Sequence, residues 1–188
     1  MRFGRCSFPI LTAVFPCGKE KPSQKFSSKL LQYITDRLLI LRREHLLFLL
    51  SWCQKAGREE DGLVMWDYHV ILLRRRHGQT AVYDLDTRLP FPCDFQLYAD
   101  NSFGDESAML PKFHRLFRVV SGEEYLEQFS SNRSHMRKEG GQWVTPPPAW
   151  DCIRSGQEEH NLDTFLCMDK SRGPGSVNTL DQLRNTFS

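Results

Sequence analysis

Among the six cysteines, Cys6, Cys17, Cys53, Cys93, Cys152 and Cys167, no two are spaced as Cys-x-x-Cys. Zinc-ribbon and thioredoxin-type readings therefore have no support. No G-x-S-x-G segment occurs, which removes the serine nucleophile elbow. No charge of one sign dominates: 25 Lys and Arg face 23 Asp and Glu, a net +2. That balance argues against a nucleic-acid binder or an acidic tail, and the clusters Arg42-Arg43 and Arg74-Arg75-Arg76 read as solvated surface. No apolar run is long enough to span a membrane, because "LLILRREHLLFLL" is interrupted by Arg42, Arg43, Glu44 and His45. The opening "MRFGRCSFPILTAVFPCG" has no small-x-small cleavage site and is not read as a signal peptide. The chain is expected in the cytoplasm and nucleus, with its cysteines as reduced thiols. There are no internal repeats.

What is present suits one domain. The 188 residues are 40% hydrophobic and 12% aromatic, enough for a core. Residues 1–27 form a poorly specified N-terminal segment, and 28–188 read as a single domain. Within it, 28–53 read as a helix, with Leu30, Leu31, Ile34, Leu38 and Leu41 at helix-like spacing. "AGREEDG" (56–62) is a loop. Residues 63–75 and 80–87 read as two strands of a hairpin joined at "RHGQ". "RLPFPCDF" carries two prolines that impose a turn or an edge, and 94–110 read as polar loop. A strand is expected over 112–120. A helix follows in "SGEEYLEQFSSN", with Ser121 and Glu124 as a capping box. Short helices are expected over 161–168 and 179–187.

The informative stretch is "MWDYHVILL", residues 65–73, where a histidine and an aspartate interrupt an apolar run. Even positions Val64, Trp66, Tyr68, Val70 and Leu72 make an apolar face, and the odd face carries Asp67 and His69. A tight loop centred on His77-Gly78 pairs residue 76 with 79. Counting back along the ladder sets His69 opposite Asp86, with Asp84 diagonal to it, so either carboxylate is within cross-strand reach of the imidazole. A carboxylate beside an imidazole fixes its tautomer and stabilises the imidazolium, the base–orienter half of a catalytic triad. The bland alternative is a hydrogen-bonded structural pair. Metal binding is disfavoured, since no second histidine or cysteine stands at ligand spacing, and no cofactor is called for.

The segments "WDYHVILL", "VYDLDTRLPFPC", "FRVV", "SSNRSHM", "PPPAWDCI", "NLDTFLCMD" and "GSVNTLDQL" occur in this order, from about Trp52 to the C-terminus. Together they resemble the eukaryotic protein N-terminal glutamine amidohydrolase family, also named for its WDYHV motif. The resemblance implies removal of ammonia from the side chain of an N-terminal glutamine, leaving glutamate, in the N-degron pathway. It implies an α/β fold, an α-β-α sandwich with a mainly antiparallel sheet, of the papain and transglutaminase-like cysteine hydrolase type. It implies a Cys-His-Asp triad in a monomer that acts on protein N-termini without nucleic acid, membrane or metal. By position in the motifs the histidine is His69 and the carboxylate Asp84. The family's nucleophile lies in a Cys-rich segment resembling "CYCEENIW" just before a helix. The nearest cysteine upstream of "KLLQYI" here is Cys17, in "FPCGKE", and it takes that place. Residues 1–50 otherwise depart from the family and read as an alternative first segment. Asp67 and Asp86 are assigned to hold the substrate's α-ammonium, and Cys53, Cys93, Cys152 and Cys167 are read as packing cysteines. A chain without a working thiol would be a relative that at most binds protein N-termini.

Overall fold

A computed structural model describes residues 3–4, 36–42, 49–107, 109–110, 114–144, 146–147, 151–155 and 158–188. Its strands are β1 (Phe3–Gly4), β2 (Asp36–Arg42), β3 (Leu49–Ser51), β4 (Val64–Trp66), β5 (His69–Arg76), β6 (Gln79–Tyr83), β7 (Cys93–Asp94), β8 (Leu116–Ser121) and β9 (Ser176–Asn178). Six of them form one sheet in the order β7-β6-β5-β2-β8-β9, antiparallel at every neighbouring pair. A smaller sheet runs β1-β4-β3. The helices are short: α1 (Phe95–Tyr98), continued by a π-helical turn at Ala99–Phe103, then α2 (Gly122–Gln128), α3 (Leu162–Leu166) and α4 (Leu180–Phe187). Among the described residues no helix is long and apolar enough to cross a membrane.

The large sheet is buried on both faces. Leu39 of β2 and Ile71 and Leu73 of β5 pack with Phe95 and Tyr98 of α1 and with Leu180, Leu183 and Phe187 of α4. Their chain neighbours Ile40, Val70 and Leu72 pack on the other side with Tyr125 of α2 and Leu162, Phe165 and Leu166 of α3. Successive strand residues point to opposite faces, so these two clusters are the two inner layers of an α/β arrangement with helices on each side. The apolar even face expected for the first strand is buried at Val64, Trp66, Tyr68, Val70 and Leu72, but the odd face is not a polar one: Ile71 and Leu73 of β5 are just as buried.

Three other expectations change. Residues 36–42 are strand, not helix, and lie in the middle of the sheet between β5 and β8. Leu39 and Ile40 are adjacent and both buried, in different core layers, so both faces of β2 are covered there, and an apolar run of that kind cannot be told from a buried helix by periodicity. The strand expected over 63–75 is two strands in two sheets. It breaks where the Asp67 carboxylate accepts the N–H of Tyr68 at 2.9 Å, a local bond that competes with the ladder. The supposed polar loop over 94–110 holds α1 and the π-helical turn, with Phe95, Tyr98, Ala99, Ser102 and Phe103 buried. Asp94 starts α1 by accepting from the N–H groups of Gln96 and Leu97 at 2.9 and 3.1 Å.

Elsewhere the sequence pattern is followed. Thr179 and Gln182 form a reciprocal capping box at the start of α4. Ser121 caps α2 by accepting from the Glu124 N–H at 3.1 Å. The Glu124 carboxylate turns instead to the Gly175 N–H, also at 3.1 Å, tying α2 to the turn before β9.

Candidate active site

The hairpin register read from the sequence is the one observed. Arg76 pairs with Gln79 and the ladder continues to Leu72 with Tyr83. His77 and Gly78 take φ values of 49° and 83°, the left-handed pair that a two-residue hairpin loop requires. After Tyr83 the chain leaves the ladder. The Asp84 carboxylate accepts the N–H of Asp86 at 2.9 Å, and the Thr87 N–H reaches the Asp84 carbonyl at 3.4 Å. This Asx-type turn ends β6 and leaves Asp84 diagonal to the start of β5.

There it meets His69. The imidazole Nε2 lies 3.2 Å from Asp84 Oδ2, and both side chains are shielded from solvent. The Trp66 ring stacks on the imidazole, with centroids 4.9 Å apart and planes 10° from parallel. The kink at Asp67-Tyr68 makes this possible, because it folds the last residue of β4 back over the first of β5. Asp84 Oδ2 also accepts the Tyr98 hydroxyl at 2.7 Å. Burial opposes ionisation of Asp84. The charge and hydrogen bond of His69, the Tyr98 hydroxyl and the Asp86 N–H outweigh it and hold the pKa at about 2. The carboxylate is therefore ionised across the physiological range, and its charge stabilises a protonated His69. The Tyr98 phenol is pushed well above its ordinary pKa by burial and then by the Asp84 charge, so it stays a donor.

The other assigned residues fall in different places. Asp86 is half-buried, and its carboxylate oxygens accept the Ala56 N–H at 3.2 and 3.3 Å. Burial and then the neighbouring Asp84 charge raise its pKa, against the pull of that N–H. Its carbonyl takes the Lys55 N–H at 2.6 Å. The direct opposition of Asp86 to His69 expected from the ladder is absent because the strand ends first. Asp67 is exposed at the β4–β5 kink, two residues before His69. Cys17 lies outside the described residues. Cys93 is buried in the core cluster, where burial pushes its thiol pKa up; Cys53, Cys152 and Cys167 are half-buried.

Tyr98 and its neighbours Gln54 and Ser102 were not singled out from the sequence. The signal was there: Phe95, Tyr98, Ala99 and Ser102 recur at helical spacing behind an Asp that caps. A second buried ion pair was also missed. Arg115 Nη1 and its backbone N–H both reach Glu106 Oε1, at 2.7 and 2.9 Å. A cleft of about 410 Å³ is lined by Asp105, Glu106, His114, Asp181 and Arg184, among others, and not by His69 or Asp84.

Residues 32–187 match the model of the N-terminal glutamine amidase family. The chain is 45% identical over 138 residues to a protein N-terminal glutamine amidohydrolase of Bos taurus, covering 73% of this chain and 66% of that protein. The Homo sapiens protein of the same name is 45% identical over 137 residues, 72% of this chain and 66% of its own length. The Drosophila melanogaster one is 44% identical over 137 residues, 72% and 67%. The chain thus spans about two thirds of the length of the curated relatives it matches. His69, Asp84 and Tyr98 all fall within the matched residues; Cys17 precedes them. With a model match over most of the chain, the protein belongs to the N-terminal glutamine amidase family.

Proposed function

We propose that this protein hydrolyses the side-chain amide of an N-terminal glutamine, releasing ammonia and leaving glutamate, by cysteine chemistry of the papain and transglutaminase-like kind. The observation that carries the reading is the buried His69–Asp84 pair, with Nε2 to Oδ2 at 3.2 Å, inside a chain of this family. In the first step a thiolate, assigned to Cys17, attacks the carboxamide carbon. The C–S bond forms and the C–O π pair moves to oxygen. The tetrahedral adduct collapses, the C–N bond breaks, and protonated His69 gives its proton to the departing ammonia. Neutral His69 then takes a proton from water as the hydroxide attacks the thioester. The C–S bond breaks, and thiolate and imidazolium are restored.

Asp84 stays ionised throughout, which holds the imidazole and stabilises its charged form. The Trp66 stack restrains the ring's rotation. For the substrate's α-ammonium, Asp67 and Asp86 are the assigned acceptors. Selection against asparagine depends on that anchor, because one methylene in an apolar pocket gives only about 1–3 kcal/mol.

Ammonia is measured after incubation with peptides starting in Gln, in Asn and in Nα-acetyl-Gln. Release from the first alone supports the reading. No release from any, with measurable binding to the Gln peptide, identifies a relative that binds N-termini without hydrolysis. Substituting Cys17→Ala tests the nucleophile: full loss of activity supports the assignment, and unchanged activity removes Cys17 from it.

A further inference from the structure

Tyr98 ends α1, is fully buried, and spends its only polar atom on Asp84 Oδ2 at 2.7 Å. A phenylalanine would fill the same space, since the ring already packs edge-on against Phe103, with centroids 5.4 Å apart. A buried hydroxyl is tolerated only where it is satisfied, so this one is explained by what it holds. We infer that Tyr98 is a positioning residue of the site: its hydroxyl fixes the plane of the Asp84 carboxylate and tempers the charge on the oxygen that faces His69. The inference rests on the reading of His69 and Asp84 as the working pair.

An aspartate's terminal torsion is broad and roughly two-fold. One hydrogen bond leaves the carboxylate free to rock about it. Here Oδ1 is anchored by the Asp86 N–H at 2.9 Å and Oδ2 by the Tyr98 hydroxyl, and two anchors define the plane. The second anchor also shares the lone pairs that His69 uses. Without the hydroxyl, Oδ2 would carry more of its charge toward the imidazole and bind the imidazolium more tightly, while losing its fixed direction. The groups that bear on this balance are His69 from β5, Tyr98 from α1 and Asp86 in the turn, with Lys55 acting on Asp86 from the preceding loop. Gln54 and Ser102, both buried, act on the phenol against the effect of burial.

The test is Tyr98→Phe in the full chain, with two readouts. The first is the His69 imidazole titration, followed by NMR on histidine-labelled protein and assigned with His69→Gln. It is expected to move up by about half a pH unit or more, because the carboxylate is less tempered. The second is ammonia release from a Gln-initiated peptide, with kcat expected to fall about tenfold and KM to change less than about twofold. A fall in kcat with an unmoved titration indicates lost packing and overturns the inference, as does a moved titration with unchanged kcat. If the unsubstituted protein releases no ammonia, the functional reading has failed, and the titration alone then decides whether Tyr98 tempers the pair. Should Tyr98→Phe not fold, 3-fluorotyrosine placed at position 98 keeps the shape and makes the hydroxyl a stronger donor. It should shift the His69 titration down, and an unmoved titration there overturns the inference.

Discussion

Asp84 Oδ2 meets two side chains from different elements, the Tyr98 hydroxyl of α1 at 2.7 Å and His69 Nε2 of β5 at 3.2 Å. Every strong contact of this carboxylate depends on its accepting hydrogen bonds. Asp84→Asn keeps the shape, replaces one acceptor with a donor and removes the charge that favours the imidazolium. The expected result is a loss in kcat of roughly 10³-fold or more for ammonia release at saturating peptide, in line with removing the orienter of a triad. A loss below about tenfold would mean that His69 works without it.

The same carboxylate should be visible in acid stability. Its folded pKa of about 2 lies below the roughly 3.9 of an unfolded aspartate. The sign follows: this stabilisation is fully present above about pH 4 and is lost as pH falls through about 2. It is worth roughly 2–3 kcal/mol at neutral pH. Urea midpoints at pH 6, 4 and 2.5 should show the gap between the unsubstituted protein and Asp84→Asn closing as the pH drops. A constant gap would contradict the depressed pKa.

Strand β2 gives a test of the fold. Leu39 and Ile40 are adjacent and both fully buried, in different core layers. Leu39→Ala and Ile40→Ala should each cost about 2–5 kcal/mol in denaturant unfolding, as buried truncations do. An amphipathic helix placing one of the pair toward its solvated side would show one large and one small effect.

The same two residues show why part of the fold was hidden. Leu30, Leu31, Ile34, Leu38 and Leu41 fit a helical period, and nothing local distinguishes a helix from a strand buried on both faces. What settles residues 36–42 is the pairing with β5 and β8, which is non-local. The hairpin, by contrast, was legible down to its register, because His77-Gly78 dictates the loop and the loop dictates the pairs. A carboxylate partner for His69, either Asp84 or Asp86, followed from that register. The choice of Asp84 over Asp86 did not, since it depends on where β6 stops, and the Asx turn that stops it uses the same carboxylate. Tyr98 lay in a stretch read as loop because Asp94, Asp100, Asn101 and Asp105 outweighed the helical spacing of the aromatics between them.

The buried pair of Arg115 and Glu106 lies against β3, where Arg115 Nε also reaches the Leu50 carbonyl at 3.3 Å. Glu106→Gln takes the Glu106 charge away from the buried guanidinium of Arg115 and should destabilise the protein by about 3–5 kcal/mol. Adding Arg115→Met should recover most of that loss, because removing both charges also removes the desolvation cost. Thermal or urea unfolding of the single and double variants measures the difference, and equal stabilities for the two would exclude a charge origin.

The central claim is that His69, held by Asp84, works on the amide of an N-terminal glutamine. Its most direct test is ammonia release from a Gln-initiated peptide by the unsubstituted protein and by His69→Ala, with the peptide product checked by mass for conversion of Gln to Glu. The expected result is ammonia equimolar with converted N-terminus for the unsubstituted protein and none above background for His69→Ala. No release by the unsubstituted protein, or equal release by both, would contradict it.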